Sequence, residues 1–449
     1  MRILWLILIV PLQILGLRLY YNYADMTDRL QRFSQKYAHI CSLVSIGQSV
    51  EGRELWVTRI TTSPTADVPG KPRFKYVGNI HGDEALSRQL LVYLIEYLLT
   101  QYGRDVRVTE LVDRTDIYIM ASMNPDGFEH AVEGDCIGSS AGRENAKHYD
   151  LDKSFSDEDK HFRKTSEDIP EVTAVMQWIL EKKFVLSGSL HGGSVMATYP
   201  FYDGSSYVTS GLTTDDALFR HLTRTYTENH PIMKMNNPDC PEDPNKSFGD
   251  GITNWGMQNY NYFKGNCFEV TFGLSCCKYP PASQLFIEWT NNKEALLAYI
   301  HQAHIGVRGF VMTRSGFGLP NATISISGTD HNITTWMFGD YYRLLLPGRY
   351  DITANPSEQP MITNDRLSTP GPPTSRSPIH TLDFQHHSYD DMEMFLQLLS
   401  AIHPSITYLK SAGRSVQGRN LYVMEISTNP GVDQQGAIAY GHILLHTYT

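Results

Sequence analysis

The stretch NIHGDEAL, residues 79–86, closes an apolar run, FKYVGNI, and opens a helical one, SRQLLVYLIEYLLTQYG, in which Leu91, Leu94, Ile95 and Leu98 share a face. A strand that runs directly into a helix is half of a βαβ unit. Further strand-like runs, DIYIMAS from Asp116 and FVLSGSL from Phe184, alternate with helical patterns in the same way. The spacing predicts an α/β domain over about residues 21–304, built on a mixed, mostly parallel sheet. His81 and Glu84 stand where the first strand ends, the usual place for site residues in open α/β sheets.

The chain has 449 residues, 41% hydrophobic and 19% charged, which is globular and long enough for two to four domains. A formal net charge of −10 and the absence of a basic stripe argue against a nucleic-acid partner. At the N-terminus Arg2 precedes an apolar run from Ile3 to Leu17, broken by Pro11 and Gln13. That run is short for a bilayer span and reads as a signal peptide over residues 1–20, an uncleaved signal anchor being the alternative. No other run is apolar enough to span a membrane, so the remainder is expected in the secretory pathway, luminal or secreted. Six cysteines (Cys41, Cys136, Cys240, Cys267, Cys276, Cys277) suit an oxidising compartment but leave their pairing open. Sequons at Asn245, Asn321 and Asn332 agree with a glycoprotein.

The chain also repeats itself. YADM from Tyr23 recurs as YDDM from Tyr389, and GQSVEGRELWV from Gly47 recurs as GRSVQGRNLYV from Gly413, both at an offset of 366 (389 − 23, 413 − 47). Residues 385–449 therefore read as the beginning of a second copy of the first domain. Between the copies, GVRGFVM, ATISISG and YYRLLLPGRYDITA alternate with Gly, Pro and Asn turns, the pattern of a small all-β domain over 305–384. That range includes a Pro/Ser/Thr-rich linker at 355–378, and HTLDF after it is expected to supply the last strand.

His191, in SGSLHGGS, also ends a predicted strand, and its two glycines would let a ligand or another backbone approach closely. With His81 and Glu84 it makes two histidines and a carboxylate, a donor set that leaves a fourth tetrahedral position open, as hydrolytic zinc requires.

HGDE, MNPDGFE, GRENA, DLDKSF, SLHGG, YPF, GMQNYNY and NCFEVTFGLSCCKYPP follow one another in an order that resembles the zinc metallocarboxypeptidases. The likeness is to their regulatory (N/E) subfamily, whose catalytic domain carries a transthyretin-like β-sandwich and can be repeated in tandem. The resemblance implies one Zn²⁺ held by His81, Glu84 and His191, with peptide or protein C-termini as partners and removal of C-terminal, basic residues as the reaction. It matches Arg143 to the arginine that polarises the scissile carbonyl, and Tyr262 to the mobile tyrosine that closes over substrate.

Three departures fall in the implied site. The Asn-Arg pair that grips the terminal carboxylate in the family's DLNRNF is here Asp152 and Lys153, and lysine lacks the bidentate fork of arginine. Tyr202 stands where the family's aspartate selects basic side chains, and the adjacent Asp203 would face the other way in an extended segment. Gly273 takes the place of the glutamate that serves as general base and acid. Glu269 shares its strand face but lies roughly 13 Å along the strand, too far to substitute. Several residues usual before GMQNYNY are also missing. The expectation is a zinc-holding member of the family with impaired catalysis, the alternative being an active secreted carboxypeptidase.

Overall fold

The computed structural model describes residues 19–138, 141–155, 169–200, 213–235, 240, 256–313, 318–356, 396, 407–414 and 420–426. The proposed signal run to residue 18, Tyr202, the 357–378 part of the linker and HTLDF lie outside them. By contacts the chain forms two units, Met1–Met312 with Gly318–Asp365, and Thr313–Phe317 with Arg366–Thr449.

The first unit holds a seven-stranded sheet in the order β1-β2-β4-β3-β5-β7-β6. Its strands are β1 (Cys41–Gln48), β2 (Glu54–Ile60), β3 (Arg73–Gly78), β4 (Asp116–Met120), β5 (Leu186–His191), β6 (Ser194–Thr198) and β7 (Phe268–Ser275). The central four, β4, β3, β5 and β7, are parallel, and β1, β2 and β6 pair antiparallel at the edges. The predicted mixed sheet is thus observed.

Both faces of the central strands are covered, and β3, β4, β5 and β7 are buried along nearly their whole length. Ile117 and Ile119 pack into one core with α2 (Ala85–Gln101) and α3 (Val106–Arg114), whereas Tyr118 and Met120 face the other way, toward Val172 and Trp178. The order of helices is α1 (Tyr23–Lys36), α2, α3, α4 (Pro125–His130), α5 (Pro170–Lys182), α6 (Asp216–Asn229), α7 (Met257–Phe263) and α8 (Leu285–His301). Leu91, Leu94, Ile95 and Leu98 are all buried, but so is most of the rest of α2, because α8 covers its outer side.

Downstream, β8 (Val307–Phe310) pairs antiparallel with β11 (Asp340–Arg343), and β9 (Thr323–Ile326) lies between β10 (Ile333–Thr334) and β12 (Ile352–Asn355). No helix occurs among the described residues 307–356. These strands join the sheet domain through polar contacts. The Arg343 guanidinium donates to both carboxylate oxygens of Asp215 at 2.8 and 3.0 Å, and Arg73 stacks 3.5 Å over the Trp336 ring. Lys183 donates to the Asn321 side chain at 2.6 Å.

In the second unit β13 (Thr407–Arg414) pairs with β14 (Asn420–Ile426). Cys41↔Ile60 in the first hairpin becomes Thr407↔Ile426 here, and the register shift between Ser45 and Gln48 recurs between Ser411 and Arg414. Every position is displaced by the same 366 residues (407 − 41, 426 − 60, 411 − 45). The internal repeat is a repeat of structure, bulge included.

Candidate metal centre

The loop after β3 is built so that one histidine and one carboxylate converge. Asn79 takes a left-handed φ of 55°, which asparagine tolerates better than most residues. Its amide then donates to the carbonyls of His81 and Gly82 at 3.0 and 2.9 Å, while Ser122 donates to its side-chain oxygen at 2.8 Å. Glu84 stands at the N-cap of α2 without capping it. Ser87 donates to the Glu84 carbonyl, so the Glu84 carboxylate is free to face the histidines.

His81 Nδ1 lies 2.9 Å from Glu84 Oε1, and His191 Nδ1, arriving from the end of β5, lies 2.8 Å from Glu84 Oε2. The two rings are 5.3 Å apart, and the three donor atoms lie within 4.8 Å of one another. It is the one such group of three among the described residues. Each imidazole is also fixed from behind: Asp150 Oδ1 sits 3.1 Å from His81 Nε2, and Ser189 Oγ 3.0 Å from His191 Nε2. A metal-ligating histidine needs such an outer partner to hold its ring and tautomer. The donor set, its convergence and its outer partners fit zinc.

Burial disfavours a charge on His81, but Glu84 and Asp150 outweigh it and push its pKa up to about 9. Burial would raise the Glu84 carboxyl in turn, yet the two histidines hold it well below the ordinary carboxylate range. A site that favours cations this strongly beside its carboxylate is suited to a divalent ion, which would displace those protons.

Arg143 reaches the same carboxylates, with Nη1 3.6 Å from Glu84 Oε1 and Nη2 3.2 Å from Asp150 Oδ2. More than a third of its side chain is exposed, so it can meet a ligand. Lys153 is 75% exposed and 3.5 Å from Asp150, while the Asp152 carboxylate accepts from the Met257 N–H at 3.0 Å and caps α7. Asp152 is therefore engaged by backbone and does not hang free in the pocket.

Tyr262 requires a correction. The structure does not bring it to the metal cluster: its hydroxyl donates to Asp215 at 2.9 Å, and its ring stacks on His331 at 4.0 Å. Only 2% of the residue is exposed. Burial and the neighbouring Asp215 hold its phenol far above the ordinary pKa. It joins the sheet domain to the small β domain, and the reading of it as a mobile lid is withdrawn.

Gly273 pairs in register with His191. A Cβ added there would stand 2.3 Å from Ser194 Oγ and 2.6 Å from the Ser194 carbonyl oxygen, so β6 has closed over the space a side chain would use. Glu269 is fully buried and committed to Lys75 at 3.1 Å, to Asn261 at 2.9 Å and to the Ser187 hydroxyl.

Three groups at the site escaped the sequence reading. Asp150 is one; Asp83 and Lys278 are the others, paired at 3.1 Å with the Lys278 ammonium 3.8 Å from Glu84. The disulfides are Cys136–Cys277 and Cys240–Cys276, with Cys41 and Cys267 free and buried.

The family model described as zinc carboxypeptidase matches residues 26–295 and 392–440, whose starting points differ by 366 (392 − 26). The chain is 46% identical to carboxypeptidase D of Mus musculus over 476 residues, 90% of this chain and 35% of that protein. It is 42% identical to carboxypeptidase M of Mus musculus over 384 residues, 82% of this chain and 85% of that protein. The chain thus spans about a third of the length of the carboxypeptidase D relatives. Among solved structures, carboxypeptidase A from Helicoverpa armigera shares the fold with a TM-score of 0.51 at 17% identity, over 64% of this chain and 74% of that one.

Proposed function

The chain belongs to the zinc carboxypeptidase family, and we propose that within it residues 21–304 form a zinc-holding domain that binds peptide C-termini but hydrolyses them poorly. His81, Glu84 and His191 would hold one ion. Zinc bound there would polarise a peptide carbonyl and lower the pKa of a water. Arg143, a third exposed and anchored on Asp150, would orient that carbonyl and support developing negative charge.

The observation that carries the reading is Gly273. Hydrolysis needs a proton moved from water to the leaving amine, and positioned proton transfer contributes about 10²- to 10⁴-fold. Glycine has no group to move it, Ser194 fills the adjoining space, and Glu269 is spent on a buried ion pair. Lys153 keeps a positive charge in the terminal-carboxylate position without a fork to match it. Preference for basic C-terminal residues is accordingly weak in this reading. The alternative of an active carboxypeptidase draws on the intact ligand set and on Arg143.

The small β domain is proposed to be the transthyretin-like sandwich, completed after the linker, and the chain to enter the secretory pathway through residues 1–20. Two disulfides support an oxidising compartment. Equilibrium dialysis of the zinc-loaded chain against a labelled peptide ending in arginine tests the function. Retention that depends on metal, with the peptide recovered at its original mass, is expected. Complete trimming of the peptide, or retention unaffected by chelation, would overturn the proposal.

A further inference from the structure

The 49–53 turn lies inside GQSVEGRELWV, a repeated motif that contributes no side chain to the metal cluster. Its donors converge instead on two fully buried carboxylates. The Ser49 hydroxyl, the Glu51 N–H and the Arg53 guanidinium donate to Asp126 at 2.7, 2.9 and 2.6 Å, and the Val50 N–H donates to Glu171 Oε1 at 3.0 Å. Asp126 belongs to α4 and Glu171 to the first turn of α5, and both are 0% exposed. Carboxylates buried to that extent require such donors. In the second copy Ser49 and Arg53, whose side chains bind Asp126, recur as Ser415 and Arg419, whereas Glu51, which gives Asp126 its N–H, becomes Gln417.

From Glu171 the contacts lead on to the metal cluster. Its other oxygen, Oε2, accepts from the Asn145 amide at 3.2 Å. The Asn145 side-chain oxygen accepts in turn from the N–H groups of Lys147 and Tyr149 at 3.1 and 3.0 Å, and its backbone N–H donates to the Tyr149 carbonyl at 3.0 Å. Asn145, itself buried, thereby closes the 145–149 turn. The next residue is Asp150, the partner behind His81 at 3.1 Å. On the other side of Asn145, the Arg143 carbonyl accepts from the Gly82 N–H and the Asn124 amide, both at 3.2 Å. The loop is thus held at both ends, and its far end depends on Asn145 and Glu171.

We infer that Asn145 and Glu171 are positioning residues for the metal centre: braced on the 49–53 turn, they fix the 145–149 turn so that Asp150 meets His81 Nε2. The inference rests on the proposed zinc-holding function and assigns the groups that orient one of its ligands from outside. An outer partner of a ligating histidine contributes about 10- to 100-fold in metal affinity. Loosening the turn should forfeit part of that contribution, and only through Asp150.

The test measures zinc affinity of the full chain by competition with a chromogenic chelator, alongside the thermal midpoint. Asp150→Asn sets the scale of the loss. Asn145→Ala removes the closing side chain, and Glu171→Gln keeps its size but offers one acceptor where two N–H donors arrive. Each should weaken zinc by about tenfold in the otherwise wild-type chain, and neither should weaken it further when Asp150→Asn is already present. Lys183→Met, which loosens the distant contact with Asn321, should lower the thermal midpoint and leave zinc affinity unchanged. If Asn145→Ala yields no folded chain, Glu171→Gln decides. Undiminished zinc affinity in the folded variants, a loss repeated in full in the Asp150→Asn background, or an equal loss in Lys183→Met would overturn the inference. A wild-type chain that holds no zinc would instead overturn the proposed function beneath it.

Discussion

Restoring the missing carboxylate by Gly273→Glu should not restore the enzyme, and the structure gives the reason a magnitude. A glutamate in working position would contribute about 10²- to 10⁴-fold, or about 3 to 5.5 kcal/mol of barrier. Its Cβ, however, would sit 2.3 Å from Ser194 Oγ and 2.6 Å from the Ser194 carbonyl oxygen. The hydroxyl can rotate away, but the carbonyl belongs to β6, whose Met196 lies directly opposite Gly273 in the ladder. Relief requires moving an edge strand, and forcing extra volume into packed structure costs about 1 to 3 kcal/mol. The displacement falls on the segment that joins His191 to β6, so it would disturb a proposed metal ligand as well as stability. Gly273→Glu should therefore melt a few degrees lower and gain little rate on a dansylated dipeptide ending in arginine. Adding Asp152→Asn, Lys153→Arg and Tyr202→Asp should gain measurably more. A single substitution that left the thermal midpoint unchanged and brought the rate near that of an intact family member would refute the steric argument.

Three further outcomes follow from the same geometry. His81→Ala should cut zinc content, measured by atomic absorption, well below one ion per chain, while His148→Ala, outside the cluster, should leave it unchanged. Arg343→Met should strand the buried Asp215 carboxylate and cost about 3 to 5 kcal/mol in urea denaturation, because removing one partner leaves an uncompensated charge. Burial holds His230 and His304 down to about 4 and His331 to about 3. Their folded pKa values lie below the unfolded value of about 6.5, so between about pH 6.5 and 4 the unfolded chain binds more protons and stability falls as pH falls. Glu288, raised by burial to about 7, acts with the opposite sign between about pH 4.5 and 7. Urea midpoints across that range should decline toward acid for the wild-type chain, and His331→Gln should reduce the slope by up to about 1.4 kcal/mol per pH unit. A slope unchanged by that substitution would contradict the burial argument.

What the sequence could disclose follows from which contacts are local or periodic. His81, Glu84 and His191 were legible because the first two follow one apolar strand run and the third ends another, and the repeat was legible because its offset is constant down to the bulge in the hairpin. Asp150 and Lys278 were not, because they reach His81 and Asp83 from 69 and 195 residues away, and only the folded sheet brings those segments together. Tyr262 was misjudged for a related reason. An aromatic motif such as QNYNY says that α7 has a face of rings, but whether that face meets substrate or another domain depends on His331 and Arg343, far downstream. The disulfide pairing was open for the same cause. Gly273 was recognised as a missing group, whereas the closing of Ser194 over its position is a property of backbone packing.

The central claim, that a site with its metal ligands in place lacks a proton-transfer group, is tested most directly by kcat/KM of the zinc-loaded chain on a dansylated dipeptide ending in arginine, with metal content determined on the same sample. One zinc per chain is expected, with a value at least about 10²-fold below that of an intact relative. A value near the relative's, abolished by chelation and restored by zinc, would contradict it.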